Sequence, residues 1–223
     1  MSESDALRLG VDLPNGRAEV SAAFEPAEDA WATLAIAHGA GAGFDHAFMV
    51  GFARGMRSAG VSTLRFNFPY VESGRRMPGP AAHAMRTWAA AAEAAAGLSP
   101  EPMWAAGKSY GGRMASMAAA EGLIEPRGLI YLGYPLHPPG KPEKPRLEHL
   151  PSVTPRQLFV EGTRDPFVDP HEQLIEAVAA CQDASIAWID GGGHSFEVAG
   201  RKRPADVVAE ELAPLVADWM RAR

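Results

Sequence analysis

Short, nearly unbroken apolar runs alternate along the chain with longer stretches in which apolar residues recur at helical spacing. The first two runs, Leu7 to Leu13 and Arg17 to Phe24, are joined by Pro14-Asn15-Gly16, and the second alternates Ala18, Val20, Ala22 and Phe24. This pattern predicts a half-buried hairpin. Trp31 to Ala37 is almost continuously apolar, which suits a central parallel strand covered on both faces. It runs into the loop His38-Gly39-Ala40-Gly41-Ala42-Gly43. Then follow a helix around His46 to Ser58, a stop at Gly60, a strand Val61 to Phe66 and a helix near Ala81 to Ala96. The alanine bias of Ala89 to Ala96 suggests a helix packed closely on a sheet.

The alternation continues. A strand enters from Pro102 to Ala106, a helix leaves toward Ala120, and further strands are expected at Gly128 to Leu132, Arg156 to Val160 and Ser185 to Ile189. A helix near Pro170 to Ala180 separates the last two. One final helix is expected from Pro204 to Met220, with Val207, Val208, Leu212, Leu215, Val216 and Trp219 on one face. About eight strands alternating with helices predict an α/β domain with a mostly parallel sheet and helices on both faces. Tyr134 to Pro155 breaks the rhythm: seven prolines with several charges forbid a regular helix or central strand. Residues 134–155 are therefore expected to form an irregular surface excursion, long enough to cover part of a pocket but too short for a helical cap domain, within a single domain spanning residues 1–223.

Composition narrows the function. A chain of 223 residues, 47% hydrophobic, supplies one substantial core. A net charge of −6 without a long basic run argues against nucleic acid or an anionic membrane as partner. The opening Met1 to Gly10 is polar, and no run approaches about eighteen apolar residues, so a cytoplasmic location is expected. The lone Cys181 reads as a packed small side chain. The sequence gives no sign of a metal or cofactor: there is no His-Glu-x-x-His, carboxylate cluster or cysteine pair. The glycine loop is no dinucleotide cradle, because Phe44 stands where its third glycine would be.

The most informative stretch is Gly107-Lys108-Ser109-Tyr110-Gly111 between a strand and a helix. Gly-x-Ser-x-Gly in that context is the pattern of a nucleophile elbow, a turn so tight that side chains two places either side of the serine would collide with backbone. An activated serine needs a base, and the base a group to fix its tautomer. Asp165 follows the strand Arg156 to Val160, and His194 follows Ser185 to Ile189, so both are expected at the sheet edge that carries Ser109. Asp169 lies farther from its strand end, and Asp190 belongs to the same loop as His194, which makes both poorer orienters. His38 and His46 precede the acid in chain order, while His83, His137, His149 and His171 fall on a helix or in the Pro-rich excursion and are expected to be solvated. Backbone N–H groups of Tyr110 and Ala40 are the expected oxyanion donors. Phe44, Phe68, Tyr70, His137, Phe167 and Phe196 follow strand ends or lie in loops of that edge and are expected to line an acyl pocket. Lys108 and Arg113 read as structural or surface residues.

Together, His38-Gly39-Ala40-Gly41, Gly107 to Arg113, Gly162-Thr163-Arg164-Asp165-Pro166 and Gly193-His194-Ser195-Phe196 resemble the α/β-hydrolase superfamily, specifically its dienelactone-hydrolase-like branch. The resemblance spans nearly the whole chain and implies a small hydrolase without a large cap. Dienelactone hydrolases proper carry cysteine where this chain has Ser109, so it implies serine-hydrolase chemistry on an acyl substrate rather than a particular substrate. Fold does not fix function, and the alternative is a non-catalytic binding or scaffold protein that keeps the fold.

Overall fold

The computed structural model describes residues 7–222; the polar opening at 1–6 and residue 223 lie outside the described residues. Strands β1 (Leu7–Leu13) and β2 (Gly16–Glu25) form the hairpin. After them come β3 (Ala32–Ala37), α1 (Ala47–Ser58), β4 (Val61–Phe66), a one-turn α2 (Pro69–Glu72), α3 (Ala81–Leu98), β5 (Met103–Lys108) and α4 (Tyr110–Ala120). The chain continues through β6 (Gly128–Leu132), β7 (Arg156–Gly162), α5 (His171–Ala179), β8 (Ala184–Ile189), α6 (Ala205–Glu210) and α7 (Ala213–Arg221).

The eight strands make one sheet in the order β1-β2-β4-β3-β5-β6-β7-β8, with β1 and β2 antiparallel and every pair from β4 onward parallel. That is the α/β-hydrolase fold. Strands β3, β4 and β6 are buried along their whole length, which suits the largely apolar β3 and β6, while β4 also buries Ser62, Thr63 and Arg65; the edge strand β8 is only half buried. On one face α1, α6 and α7 bury Phe52, Met56, Val208, Leu212 and Val216 against Leu34, Ile36 and Ile130. On the other, α3 and α4 pack Trp88, Ala91, Ala95 and Met114 against Ala35, Leu64 and Tyr131. No helix among the described residues is long and apolar enough to cross a membrane.

Two expectations need correction. The single final helix is two, broken at Glu211-Leu212, because Pro214 near the start of α7 has no N–H to continue the ladder of α6. The apolar spacing runs through the break and conceals it. The Pro-rich excursion holds only a 3₁₀ turn at Leu150–Ser152, but it is anchored. Tyr134 donates its hydroxyl to Arg146 O at 2.9 Å, and His149 Nε2 lies 2.7 Å from Ser116 Oγ on α4. His149 is thus partly buried rather than solvated, and burial lowers its pKa to about 4.

Candidate active site

Strand β5 delivers Ser109 into a turn where its φ is +48° and ψ −111°, a region that L-residues rarely occupy and that surrounding structure must enforce. The enforcing contacts are local. A Cβ on Gly111 would sit 2.6 Å from the carbonyl oxygens of both Ala37 and His38, and one on Gly107 would run into the backbone of Gly112. With hydrogen in those places, α4 starts directly over the ends of β3 and β5. Ser109 N–H donates to Leu132 O at 3.0 Å and Trp88 Nε1 to Gly111 O at 3.0 Å, fastening both sides of the turn.

The ends of β7 and β8 bring two more groups to this point. His194 Nε2 lies 2.9 Å from Ser109 Oγ, and His194 Nδ1 lies 2.6 Å from Asp165 Oδ2. Asp165 is buried, and its other oxygen accepts the Phe167 N–H at 2.8 Å. A carboxylate that only accepts assigns the imidazole proton to Nδ1, leaving Nε2 bare toward the serine hydroxyl. Burial lowers the pKa of His194, the Asp165 hydrogen bond opposes that, and the Lys108 charge reinforces it, so the ring is neutral at neutral pH. The Phe167 ring stacks on it at 4.1 Å. Asp169 and Asp190 are both exposed and make no hydrogen bond to it.

The glycine loop is held by His38. This fully buried ring donates Nδ1–H to Gly39 O at 2.8 Å and accepts the Phe68 N–H on Nε2 at 3.2 Å; burial lowers its pKa to about 4. It is a neutral clamp. Ala40 borders the same cavity as Ser109, and Tyr110 N–H opens α4 where no intrahelical acceptor exists.

That cavity measures about 550 Å³, and of the six side chains expected to line it only Phe167 does so. Phe68 and Tyr70 line a separate cavity of about 340 Å³ with Tyr110, on the β1–β2 side of the glycine loop. Phe196, at φ +66°, turns inward and stacks on Phe48 at 6.0 Å between sheet and α1. His137 is fully buried, with Nδ1 2.9 Å from Pro138 O. Phe44 is half-buried beneath the Arg65 guanidinium at 5.8 Å. In their place Phe48 and Met49 from the start of α1, with Glu197 and Ala205 opposite, form the walls. Lys108, at the end of β5, also borders the cavity and is buried, not a surface residue. Its Nζ donates to the His194 carbonyl at 2.7 Å, and burial pushes its pKa down to about 8. Near it Glu161 is fully buried, accepting the Tyr134 N–H at 2.5 Å, and burial holds its carboxyl well above the usual range. No group of three or more metal-ligating side chains occurs among the described residues.

Comparison with known proteins places the fold that carries this site. Residues 30–221 match the model of a family described as an alpha/beta hydrolase domain. A serine hydrolase without a lid from Xanthomonas campestris superposes with a TM-score of 0.73 at 22% identity, covering 100% of this chain and 99% of its own. A dienelactone hydrolase from Anabaena variabilis gives 0.71 at 19% identity, with 96% of each chain covered. The protein Est1E from Butyrivibrio proteoclasticus, solved with ferulic acid bound, gives 0.72 at 17% identity, covering 94% of this chain and 98% of its own.

Proposed function

The chain belongs to the alpha/beta hydrolase family, and on that premise we propose that it is a serine hydrolase of esterase type, acting on carboxylic esters or thioesters of small acyl groups. One observation carries the reading: the continuous chain Ser109 Oγ, His194, Asp165 at 2.9 and 2.6 Å, at the rim of a cavity open to a substrate. Ser109 Oγ attacks the substrate carbonyl while His194 Nε2 takes its proton. Asp165 keeps the other imidazole proton on Nδ1 and stabilises the imidazolium that forms. The N–H groups of Tyr110 and Ala40 receive the oxyanion of the tetrahedral intermediate, Tyr110 with the help of the α4 dipole. Collapse expels the alcohol or thiol, which leaves with the proton from His194, and water then clears the acyl-enzyme by the same route. Phe48, Met49 and Phe167 give the acyl group an apolar wall.

The test joins labelling and turnover. A fluorophosphonate should label the wild type at Ser109, and a panel of aryl and alkyl esters and thioesters should include substrates. Ser109→Ala should abolish labelling and lower hydrolysis by about three orders of magnitude or more while thermal unfolding stays unchanged. Near-normal turnover in the folded variant removes Ser109 from the mechanism. A wild type that neither labels nor turns over any ester is a binding protein on a hydrolase fold.

A further inference from the structure

A lysine ammonium out of water costs free energy unless something gains from it, and among the described residues no carboxylate lies within ion-pair distance of Lys108. Its one side-chain hydrogen bond among the described residues goes to the main-chain carbonyl of His194, at 2.7 Å. Two further features frame this contact. Gly133, where the chain leaves β6 at φ +72°, lies beneath it: a Cβ there would stand 2.9 Å from His194 O and 3.1 Å from Lys108 Nζ. The ammonium also lies beside the stacked rings of Phe48 and Phe196, 5.9 and 5.7 Å from their centroids.

We propose that Lys108 is a positioning residue of the hydrolytic site, tying the turn that carries His194 to the strand that carries Ser109 and keeping a positive charge beside the imidazole. Strand and turn are far apart in sequence, and besides the side-chain bond from His194 to Ser109 this is the hydrogen bond that joins them. The turn Gly191 to Phe196 is rich in glycine, so the imidazole needs such a tie to keep its approach to Ser109 Oγ. A displacement of about 1 Å costs roughly 100-fold in rate. The charges facing the ammonium are Asp165 and Glu161 from β7 and its loop, and Glu197 beyond the His194 turn; all three favour its protonated form against the dominant effect of burial. From α1 it faces the Phe48 ring and from the end of β6 Gly133. The cation acts in turn on His194, lowering the ring's pKa. Lys108 thereby helps hold the base neutral as well as in place.

The inference rests on reading His194 as the base of Ser109, and its test separates the two. Lys108→Met keeps the length and apolar stem but loses donor and charge; Lys108→Gln keeps a shorter, neutral donor. Both are measured for kcat and KM on an activated aryl ester, and His194 is titrated by NMR in protein with labelled histidine, which needs no turnover. Lys108→Met should lower kcat by about 10- to 100-fold with KM changed little and raise the titration midpoint of His194. Lys108→Gln should raise the midpoint likewise, with a smaller loss of kcat. A folded variant with wild-type kcat and an unmoved midpoint overturns the proposal; should Lys108→Met not fold, Lys108→Gln decides it alone. An inactive wild type whose His194 midpoint still rises in the variants would sink the hydrolase reading and leave the charge effect of Lys108 standing.

Discussion

Asp165→Asn is the perturbation whose consequence the structure defines most closely, because two donors compete for the oxygens of this side chain. The carboxylate serves both, taking the Phe167 N–H at 2.8 Å on Oδ1 and His194 Nδ1–H at 2.6 Å on Oδ2. An amide has one oxygen. If that oxygen stays with Phe167, the NH₂ faces Nδ1, which can accept only when the ring proton moves to Nε2. His194 then points a proton at Ser109 and cannot act as base. If the amide flips, the base survives, but two buried donors face each other at Phe167 at a cost of about 1–3 kcal/mol. The imidazolium also loses its carboxylate in either arrangement. Together these predict a loss of about 10³ to 10⁴ in rate, equivalent to roughly 4–5.5 kcal/mol of barrier. The assay is kcat/KM on an activated ester, with thermal unfolding to verify the fold. Asp169→Asn and Asp190→Asn change exposed side chains and should stay within about threefold of wild type. If Asp165→Asn loses less than about tenfold, or Asp190→Asn is the more damaging, the assignment of the acid is wrong.

The remaining predictions concern pH and the turn. Only neutral His194 can accept the serine proton, and its pKa is lowered by burial first and by Lys108 as well. The kcat/KM of the wild type should therefore fall on acidification with a midpoint below the ordinary imidazole value of about 6.5; a profile flat from about pH 8 to pH 4 would show that no histidine is the base. Stability should fall in an adjoining window: His38 titrates at about 4 in the folded protein and near 6.5 when unfolded, so between these values the unfolded chain binds more protons. This contribution is whole above about pH 6.5 and is lost progressively down to about pH 4, with His149 acting in the same sense. Urea midpoints that agree at pH 7 and pH 4.5 would contradict it. Gly111→Ala forces a methyl to within 2.6 Å of two carbonyl oxygens and should cost about 2 kcal/mol, or roughly 4–8 °C of Tm. Gly97→Ala on α3, where a Cβ meets nothing within 4 Å, should be neutral or slightly stabilising; equal effects of the two would refute the packing argument at the elbow.

What the sequence made legible was whatever depends on short-range pattern. Strands β3, β5 and β6 are largely apolar because both faces are covered, and the loops at the C-terminal ends of the parallel strands stand together because parallel strands end on one edge. That placed Ser109, Asp165 and His194 at one edge without knowledge of a single contact. The lining could not be read the same way, since it depends on where a side chain turns after its strand ends. Phe167 faces the cavity, while Phe196, two residues after His194, turns beneath it because of a positive φ that its neighbours impose. The reading of Lys108 as structural or surface is decided for the structural side by contacts that the sequence does not display: only the folded chain places a side-chain-free Gly133 and an inward carbonyl at the reach of its ammonium.

The Pro-rich excursion bears on substrate choice by where it is not. None of residues 134–155 borders the cavity at Ser109. The segment is held instead over α4 and α5, by His149 on Ser116 and by Gln173 Nε2 donating to Pro142 O at 3.1 Å. It therefore covers the face of the sheet opposite α1 and α6, and although long enough to cover part of a pocket it does not reach the one at Ser109, because its anchors lie on α4 and α5. The walls of the cavity are left to the start of α1 and to the chain from His194 to Ala205, where Phe48, Met49 and Glu197 stand. Phe48 is also the ring stacked on Phe196, with the Lys108 ammonium 5.9 Å from its centroid. The side chain that bounds the acyl space thus belongs to the same packed group that fixes the base. A change at Phe48 would therefore alter substrate size and His194 position together, and Met49, buried in the same cluster as Phe48 and Phe196, is coupled to that group as well.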